Sequence, residues 1–249
     1  MTAYFVSDIH LVSPAEEKTE VFNRFLQSIA AGGSLEKATH LFLVGDIFDL
    51  WVGNHRYFSD KFHTTVELIR ALAMAGVQVH YFEGNHDLHL DRFWQERLGI
   101  KIHADAESFD LAGLRVRIEH GDLINPEDEG YLFLRWFLRT SPMTLLAHSL
   151  PAPLVRLIGE RASQASRNYT STAKELPKDQ IRKLIRTHAE RVGSVSPFDL
   201  IITGHVHVED DFRFKVAGRE MRSVNLGSWF DGPKAFVLNE GGGNFTALK

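Results

Sequence analysis

The sequence predicts a mixed α/β body interrupted by a helical insertion at residues 128–191. Three observations predict it. Short apolar runs alternate with helix-period segments over the first third of the chain, the pattern of strands covered by helices. From residue 128 to 192 the spacing stays helical, with breaks only near Ser141-Pro142 and Leu150-Pro151. Beyond it, short apolar strands return.

The elements follow in order. Ala3–Ser7 is a short apolar strand, and Glu17–Ala31 repeats Val21, Phe22, Phe25, Leu26 and Ile29 at helical spacing. His40–Val44 reads as a buried strand ending at Gly45-Asp46. A helix over about Asp60–Ala75 stops at Gly76, and the strand Val77–Glu83 ends at Gly84-Asn85. Phe109–Leu111 and Leu114–Glu119 form a hairpin around Ala112-Gly113. After the insertion come a buried strand, Asp199–Thr203, and an antiparallel run of Phe212–Val216, Glu220–Asn225, Ala235–Leu238 and Phe245–Leu248. Residues 1–127 and 192–249 thus make the core, and 128–191 a helical insertion in it.

Composition narrows the chemistry. With 44% hydrophobic and 24% charged residues over 249 positions, the chain is neither disordered nor fibrous. It has no cysteine, which excludes a disulfide scaffold, a thiolate nucleophile and an iron–sulfur cluster, while histidine is abundant at 13. The N-terminus, Met1–Asp8, lacks a signal-peptide pattern, and no uninterrupted apolar stretch is long enough to span a membrane. The expected location is cytoplasmic. Between Tyr131 and Arg191 there are 11 Lys/Arg against 4 Asp/Glu, whereas the rest of the chain has 17 against 28. Such a basic segment faces an anion or is a set of solvated helix faces. The net charge of −4 argues neither for nor against nucleic acid.

The polar residues that demand explanation fall just after predicted strands: Asp8 and His10; Asp46 and Asp49; Asn85, His86 and Asp87; His120 and Asp122; His205 and His207. In an α/β sheet, such strand ends converge on one edge, where ligands bind. Glycine precedes the polar residue at three of them, letting the backbone turn sharply. Asp8, His10, Asp46, Asn85, His120, His205 and His207 exceed the donor needs of one metal. They suit two divalent ions about 3.5–4 Å apart, bridged by a carboxylate. Nitrogen and oxygen donors without thiolate favour Mn²⁺, Fe²⁺, Zn²⁺ or Mg²⁺, with Mn²⁺ the expected ion. His40, His63, His80 and His103 stand alone and receive no role. Asp49 and Asp87 can equally cap helices, and Asp122 is similarly open.

Asp-x-His, Gly-Asp-x-x-Asp, Gly-Asn-His-Asp, an isolated His and Gly-His-x-His, in that order, resemble the calcineurin-like metallophosphoesterases. The resemblance implies a four-layer αββα sandwich. It implies one ion on Asp8, His10, Asp46 and His207 and another on Asp46, Asn85, His120 and His205, with Asp46 as the bridge. It gives His86 the stabilisation of the transition state or protonation of the leaving oxygen, with Asp87 orienting it and Asp49 tuning a ligand.

Within that superfamily the chain is similar to the UDP-2,3-diacylglucosamine hydrolases over nearly its whole length, through SDIHL, GDIFDLWVG, GHVH and LGSW. This implies cleavage of the pyrophosphate of a nucleotide-linked glycolipid into UMP and the acylated sugar 1-phosphate. It also implies a lid over a hydrophobic acyl chamber and peripheral contact with the inner membrane. By the same resemblance Asp128 and Tyr131 hold the uridine or sugar. Leu132 to Leu138 is apolar nearly all round, while Arg135 and Arg139 share one face. That helix buries acyl chains, lies at a membrane interface, or packs into an ordinary helical subdomain. Ser163, Arg167 and Asn168 reach a sugar or phosphate, or are solvated. In one respect the chain departs from the lipid enzymes, which usually carry Arg at the position of His86. Arg stays cationic, whereas His titrates. The alternatives are a phosphodiesterase or phosphatase acting on a soluble phosphoester such as a nucleotide, and a metal-stabilised binding scaffold. No nucleic-acid partner is expected, and oligomeric state is left open.

Overall fold

The computed structural model describes residues 1–149, 154, 157 and 176–249. Ser163, Arg167 and Asn168 lie outside them. The chain begins with β1 (Thr2–Val6), α1 (Glu17–Ala31), β2 (His40–Val44), β3 (Trp51–Val52), α2 (Arg56–Lys61) and α3 (His63–Met74). It continues through β4 (Gln78–Phe82), β5 (Asp87–Leu88), β6 (Lys101–His103), β7 (Glu107–Leu111) and β8 (Leu114–Ile118). Then come α4 (Glu129–Leu138), α5 (Ser141–Ser149), α6 (Lys178–Val195), β9 (Leu200–Thr203) and β10 (Asp210–Val216). The last strands are β11 (Arg219–Asn225), β12 (Lys234–Asn239) and β13 (Gly242–Ala247).

Two sheets form the centre, one ordered β13-β12-β1-β2-β4-β6 and the other β10-β11-β9-β8-β7. Side chains alternate across each strand, and here both faces are apolar. Tyr4 and Val6 of β1, with Leu41 and Leu43 of β2, pack under α1 and α3, where Phe22, Phe25, Ile29, Val66 and Ile69 meet them. Ala3 and Phe5, with Phe42 and Val44, point the other way, against Val116, Leu200, Ile202 and Val224 of the second sheet. Phe5 and Phe42 stack there with centroids 4.7 Å apart. On the outer face of the second sheet, Ile201 packs with Ala189 and Phe198 beneath α6. The layers are therefore helix, sheet, sheet, helix, the expected αββα sandwich.

Several elements differ from expectation for identifiable reasons. The predicted helix over Asp60–Ala75 is two helices, broken at Phe62, whose ring packs on Phe48 at 4.8 Å within an aromatic cluster including Trp51 and Trp94. The final antiparallel run is split: β10–β11 joins the second sheet, where β11 also runs parallel to β9, and β12–β13 joins the first. Alternation marks strands but not the sheet they join. Helix α6 falls mostly within the stretch assigned to the insertion, yet it runs to Val195 and buries Ile185, His188 and Ala189 as the fourth layer. His80 and His103, given no role, contact each other at 3.0 Å and stack on Phe42 and Phe82.

Candidate metal centre

The parallel strands β1, β2 and β4 of the first sheet and β8 and β9 of the second end on a common edge. The five loops that leave them carry all seven predicted donors. The backbone there is interlocked: Asp8 N–H donates to Gly45 O, His10 N–H to Asp46 O and Gly204 N–H to His120 O. Asp8, His10, Asp46, His205 and His207 all have φ between 50° and 70°. Left-handed backbone in a non-glycine residue costs on the order of 1–3 kcal/mol and persists where the surroundings enforce it. Five such residues among seven donors mark this edge as strained for a purpose.

The glycines have a reason too. A Cβ on Gly45 would overlap the His120 ring, one on Gly84 would overlap the Asp46 carboxylate, and one on Gly204 would overlap Asp8. Each glycine before a donor makes room for a donor from another loop.

Two clusters result. Asp8, His10 and His207 bring ligand atoms within 4.8 Å of one another, and so do Asp46, His120 and His205. His10 Nε2 lies 3.2 Å from His207 Nε2, and His120 Nε2 lies 3.3 Å from His205 Nδ1. Ligands on an ion with bonds of about 2.0–2.1 Å stand about 3 Å apart, so these spacings fit a coordination shell. Asn85 Oδ1 adds an oxygen 3.0 Å from His205 Nδ1 and 3.3 Å from His120 Nε2. His120 Nδ1–H donates to the Val44 carbonyl (2.9 Å), which turns the Nε2 lone pair inward.

The carboxylates are divided in the same manner. Asp46 Oδ1 accepts from the N–H groups of Asn85 and His86, both at 2.9 Å. Its Oδ2 lies 3.6 Å from His120 Nε2 and 3.9 Å from His10 Nε2, between the clusters. Asp8 Oδ2 accepts from His205 N–H, whereas Oδ1 is buried without a hydrogen bond, as is His207 Nδ1. A buried carboxylate oxygen 3.3 Å from the His207 Nε2, without a well-formed hydrogen bond, is what a cation site requires. The donors present fit two divalent ions.

The electrostatics agree. Burial pushes Asp46 up, but His120, His86 and His10 together hold it well below the carboxylate range. Asp8 is likewise raised by burial and lowered further by His207 and His120. Burial lowers His10 and His205 to about 4, despite the nearby carboxylates. His120 rises to about 9, because Asp46 and Asp8 outweigh its burial.

His86 and Asp49 stand beside this centre with His10, their ligand atoms within 4.8 Å of one another. The resemblance gave the orienting of His86 to Asp87, but His86 Nδ1–H donates instead to the Asp49 carbonyl at 2.8 Å. Asp87, fully buried, accepts from Asp46 N–H, Ile47 N–H, Gly84 N–H and Tyr81 Oη–H at 2.6–3.0 Å. It is the post that holds the Asp46 loop. No helix begins at Asp49 or Asp87, so neither is an N-cap.

Helix α4 approaches from the other side. Asp128 caps it by accepting from Tyr131 N–H, and Tyr131 packs its ring on His205 with centroids 5.5 Å apart. Asp122 accepts from Tyr131 Oη–H (3.2 Å) and Arg135 Nε–H (2.6 Å). Arg139 reaches Glu83 at 3.8 Å, with Nε and Nη2 buried and lacking hydrogen bonds. Phe133 and Trp136, on the opposite face, are 63% and 62% exposed. Sequence reasoning missed Tyr81, Glu83 and Asn225; buried Asn225 donates to Thr203 Oγ1 and the Gly204 carbonyl, bracing the His205 loop. None follows a glycine in a motif.

A family model for the calcineurin-like phosphoesterases matches residues 1–209. UDP-2,3-diacylglucosamine hydrolase of Stenotrophomonas maltophilia (strain K279a) is 28% identical over 253 residues, covering 100% of this chain and 99% of its own length. The protein of the same name from Neisseria gonorrhoeae (strain ATCC 700825 / FA 1090) is 30% identical over 220 residues, covering 82% and 90%. A solved archaeal phosphodiesterase matches over 100% of both chains at 12% identity, with a TM-score of 0.46.

Proposed function

From the premise that this chain belongs to the calcineurin-like phosphoesterase family and is a metal-dependent phosphoester hydrolase, we propose that it cleaves the pyrophosphate of UDP-2,3-diacylglucosamine. The products are UMP and 2,3-diacylglucosamine 1-phosphate. The observation that carries this reading is α4: it packs Tyr131 on His205 and holds Arg135 on Asp122, beside the metal centre, while turning Phe133, Leu134, Trp136 and Phe137 outward. A water-soluble substrate gives no reason for such an exposed apolar face beside the site. The relatives named for this activity match the chain almost end to end.

Asp8, His10, Asp46 and His207 would hold one ion, and Asp46, Asn85, His120 and His205 the other, Mn²⁺ being the ion we favour. When bound, the two ions draw charge from the phosphoryl oxygens and supply an activated water. The chain's own groups do the rest. Asp46 Oδ1, pinned by two backbone N–H groups, fixes its Oδ2 between the clusters. His86, oriented by the Asp49 carbonyl, donates to the phosphoryl or leaving oxygen. Arg139, with guanidinium nitrogens that have no hydrogen bond, donates to a substrate phosphate. Asp128, Tyr131 and Arg135 line the approach for the sugar or uridine. Helices α4 and α5 belong to the lid, and the exposed face of α4, continued by Leu145 and Leu146 of α5, rests on the inner membrane from the cytoplasmic side. Among the described residues no helix is long and apolar enough to cross a membrane.

The test is hydrolysis of UDP-2,3-diacylglucosamine in detergent with Mn²⁺, beside an EDTA control and bis-p-nitrophenyl phosphate. UMP release that EDTA abolishes is expected. Turnover of the soluble diester alone would keep the centre and overturn the lipid substrate, and would make His86, in place of Arg, the residue that marks a different specificity.

A further inference from the structure

A cavity of about 380 Å³ adjoins the metal centre, sharing His120 and Asp122 with it. Its size falls within the roughly 300–1,000 Å³ of small-molecule sites. Arg117 and Glu119 of the β8 edge form one wall, His188 and Arg191 of α6 another, and Arg135 of α4 crosses the side toward Asp105.

Charged and polar side chains ring a lining that also exposes apolar surface from Phe82, Leu123 and Val192, and the charges are matched. Glu119 accepts from Arg117 Nε–H (2.9 Å) and from His188. Asp122 accepts from Arg135. Arg117, Arg135 and Arg191 face Glu83, Asp105, Glu119 and Asp122, three guanidinium groups against four carboxylates. A free phosphate would meet a wall with no net positive charge. An acyl chain would bury polar groups that it cannot satisfy. What fits is an uncharged ligand that both donates and accepts hydrogen bonds, as a pyrimidine base and its ribose do. His103, stacked on Phe82 with centroids 4.6 Å apart, adds a flat ring to the wall. Arg191 has no carboxylate partner among the described residues; its Nη2 lies 2.9 Å from His188 Nδ1 and 3.4 Å from the Leu123 carbonyl. It retains N–H groups for a base carbonyl.

Helix α4 separates two directions away from the centre. Arg135 faces the cavity, and Phe133 and Trp136 face outward. We propose that this cavity is the nucleoside pocket: the base and ribose enter between β8 and α6, the diphosphate spans the metal centre, and the acylated sugar leaves past the apolar face of α4. The assignment rests on the nucleotide-lipid reading above. It gives α6, a layer of the core rather than of the lid, a part in choosing the nucleotide.

The test is isothermal titration of the Mn²⁺-loaded protein with UMP and, separately, with inorganic phosphate, for wild type, Arg191→Ala and Ala104→Trp. Ala104 is an exposed loop residue on the cavity rim, so the indole fills the pocket without entering the core, and melting curves verify that both variants fold. UMP should bind wild type about tenfold or more tighter than phosphate, the weight of one or two hydrogen bonds. Both variants should lose that advantage. UMP binding no tighter than phosphate, or variants that keep wild-type UMP affinity, would overturn the pocket. UMP release from the lipid substrate alongside either result leaves the function standing without this pocket. Loss of UMP affinity in the variants without lipid-substrate turnover keeps the pocket and removes the function.

Discussion

Asp46 and Asp87 show how two neighbouring carboxylates take different work from their surroundings. Asp46 spends one oxygen on backbone N–H groups and points the other between two imidazole clusters. Asp87 spends both oxygens on the loop that carries Asp46. Asp87→Asn should therefore behave as a metal-site variant. It replaces an acceptor oxygen by NH₂ facing N–H donors, should cost about 1–3 kcal/mol of stability, and should lower bound metal, as read by urea denaturation and elemental analysis. His86→Ala should instead lower kcat with metals retained. If Asp87→Asn copied His86→Ala, the orienting role inferred from family resemblance would be right after all. The seven donors were legible because each sits at a strand end, three behind a glycine. The work of Asp87, Tyr81 and Asn225 was not, since most of it is done by hydrogen bonds over 6 to 41 positions of chain.

Protons at this scale make a pH prediction. His10 and His205, lowered to about 4, and His80, lowered to about 3, stay neutral in the fold while the unfolded chain protonates near 6.5. The unfolded state then binds more protons, so stability falls as pH drops from about 6.5 toward 4. Asp87, raised to about 7, runs the other way and offsets one of these three. His120, raised to about 9, contributes stability below about 6.5 that is lost as pH rises through 9. The urea midpoint of EDTA-treated protein should peak near neutrality and decline on both sides. A midpoint that climbs steadily to pH 9 would contradict the protonated His120.

At the scale of elements, strand faces decide the packing. Phe5 lies between the sheets, stacked on Phe42, so Phe5→Ala should cost about 3–5 kcal/mol, measured by thermal or urea unfolding. Helix α4 makes the opposite kind of surface. Replacing Phe133 and Trp136 by Ser should reduce co-sedimentation with anionic lipid vesicles severalfold; undiminished sedimentation would move the membrane contact elsewhere. The long, strongly periodic elements, α1, β2 and β4 among them, were readable because one face or both must be apolar. The two-residue strands β3 and β5 are too short to show alternation, and β6 is too exposed to leave an apolar pattern. The break at Phe62 was hidden because both sides keep helical spacing. It takes the ring of Phe48, 14 residues earlier, to turn the chain there.

Across the whole molecule, two sheets bring five strand ends to one edge. The core supplies the metal centre from β1, β2, β4, β8 and β9, while α4 and α6 close on it from opposite sides of Asp122 and Glu119. On the proposed reading, chemistry is held by the strand ends and substrate choice by the helices. The most direct test counts metal per chain in Mn²⁺-reconstituted wild type and Asp46→Ala, with bis-p-nitrophenyl phosphate turnover and far-UV circular dichroism on the same samples. The account predicts two ions in wild type, and in Asp46→Ala a near-complete loss of metal and turnover with the spectrum unchanged. An Asp46→Ala protein that kept both ions and wild-type turnover would contradict the two-ion centre built around that carboxylate.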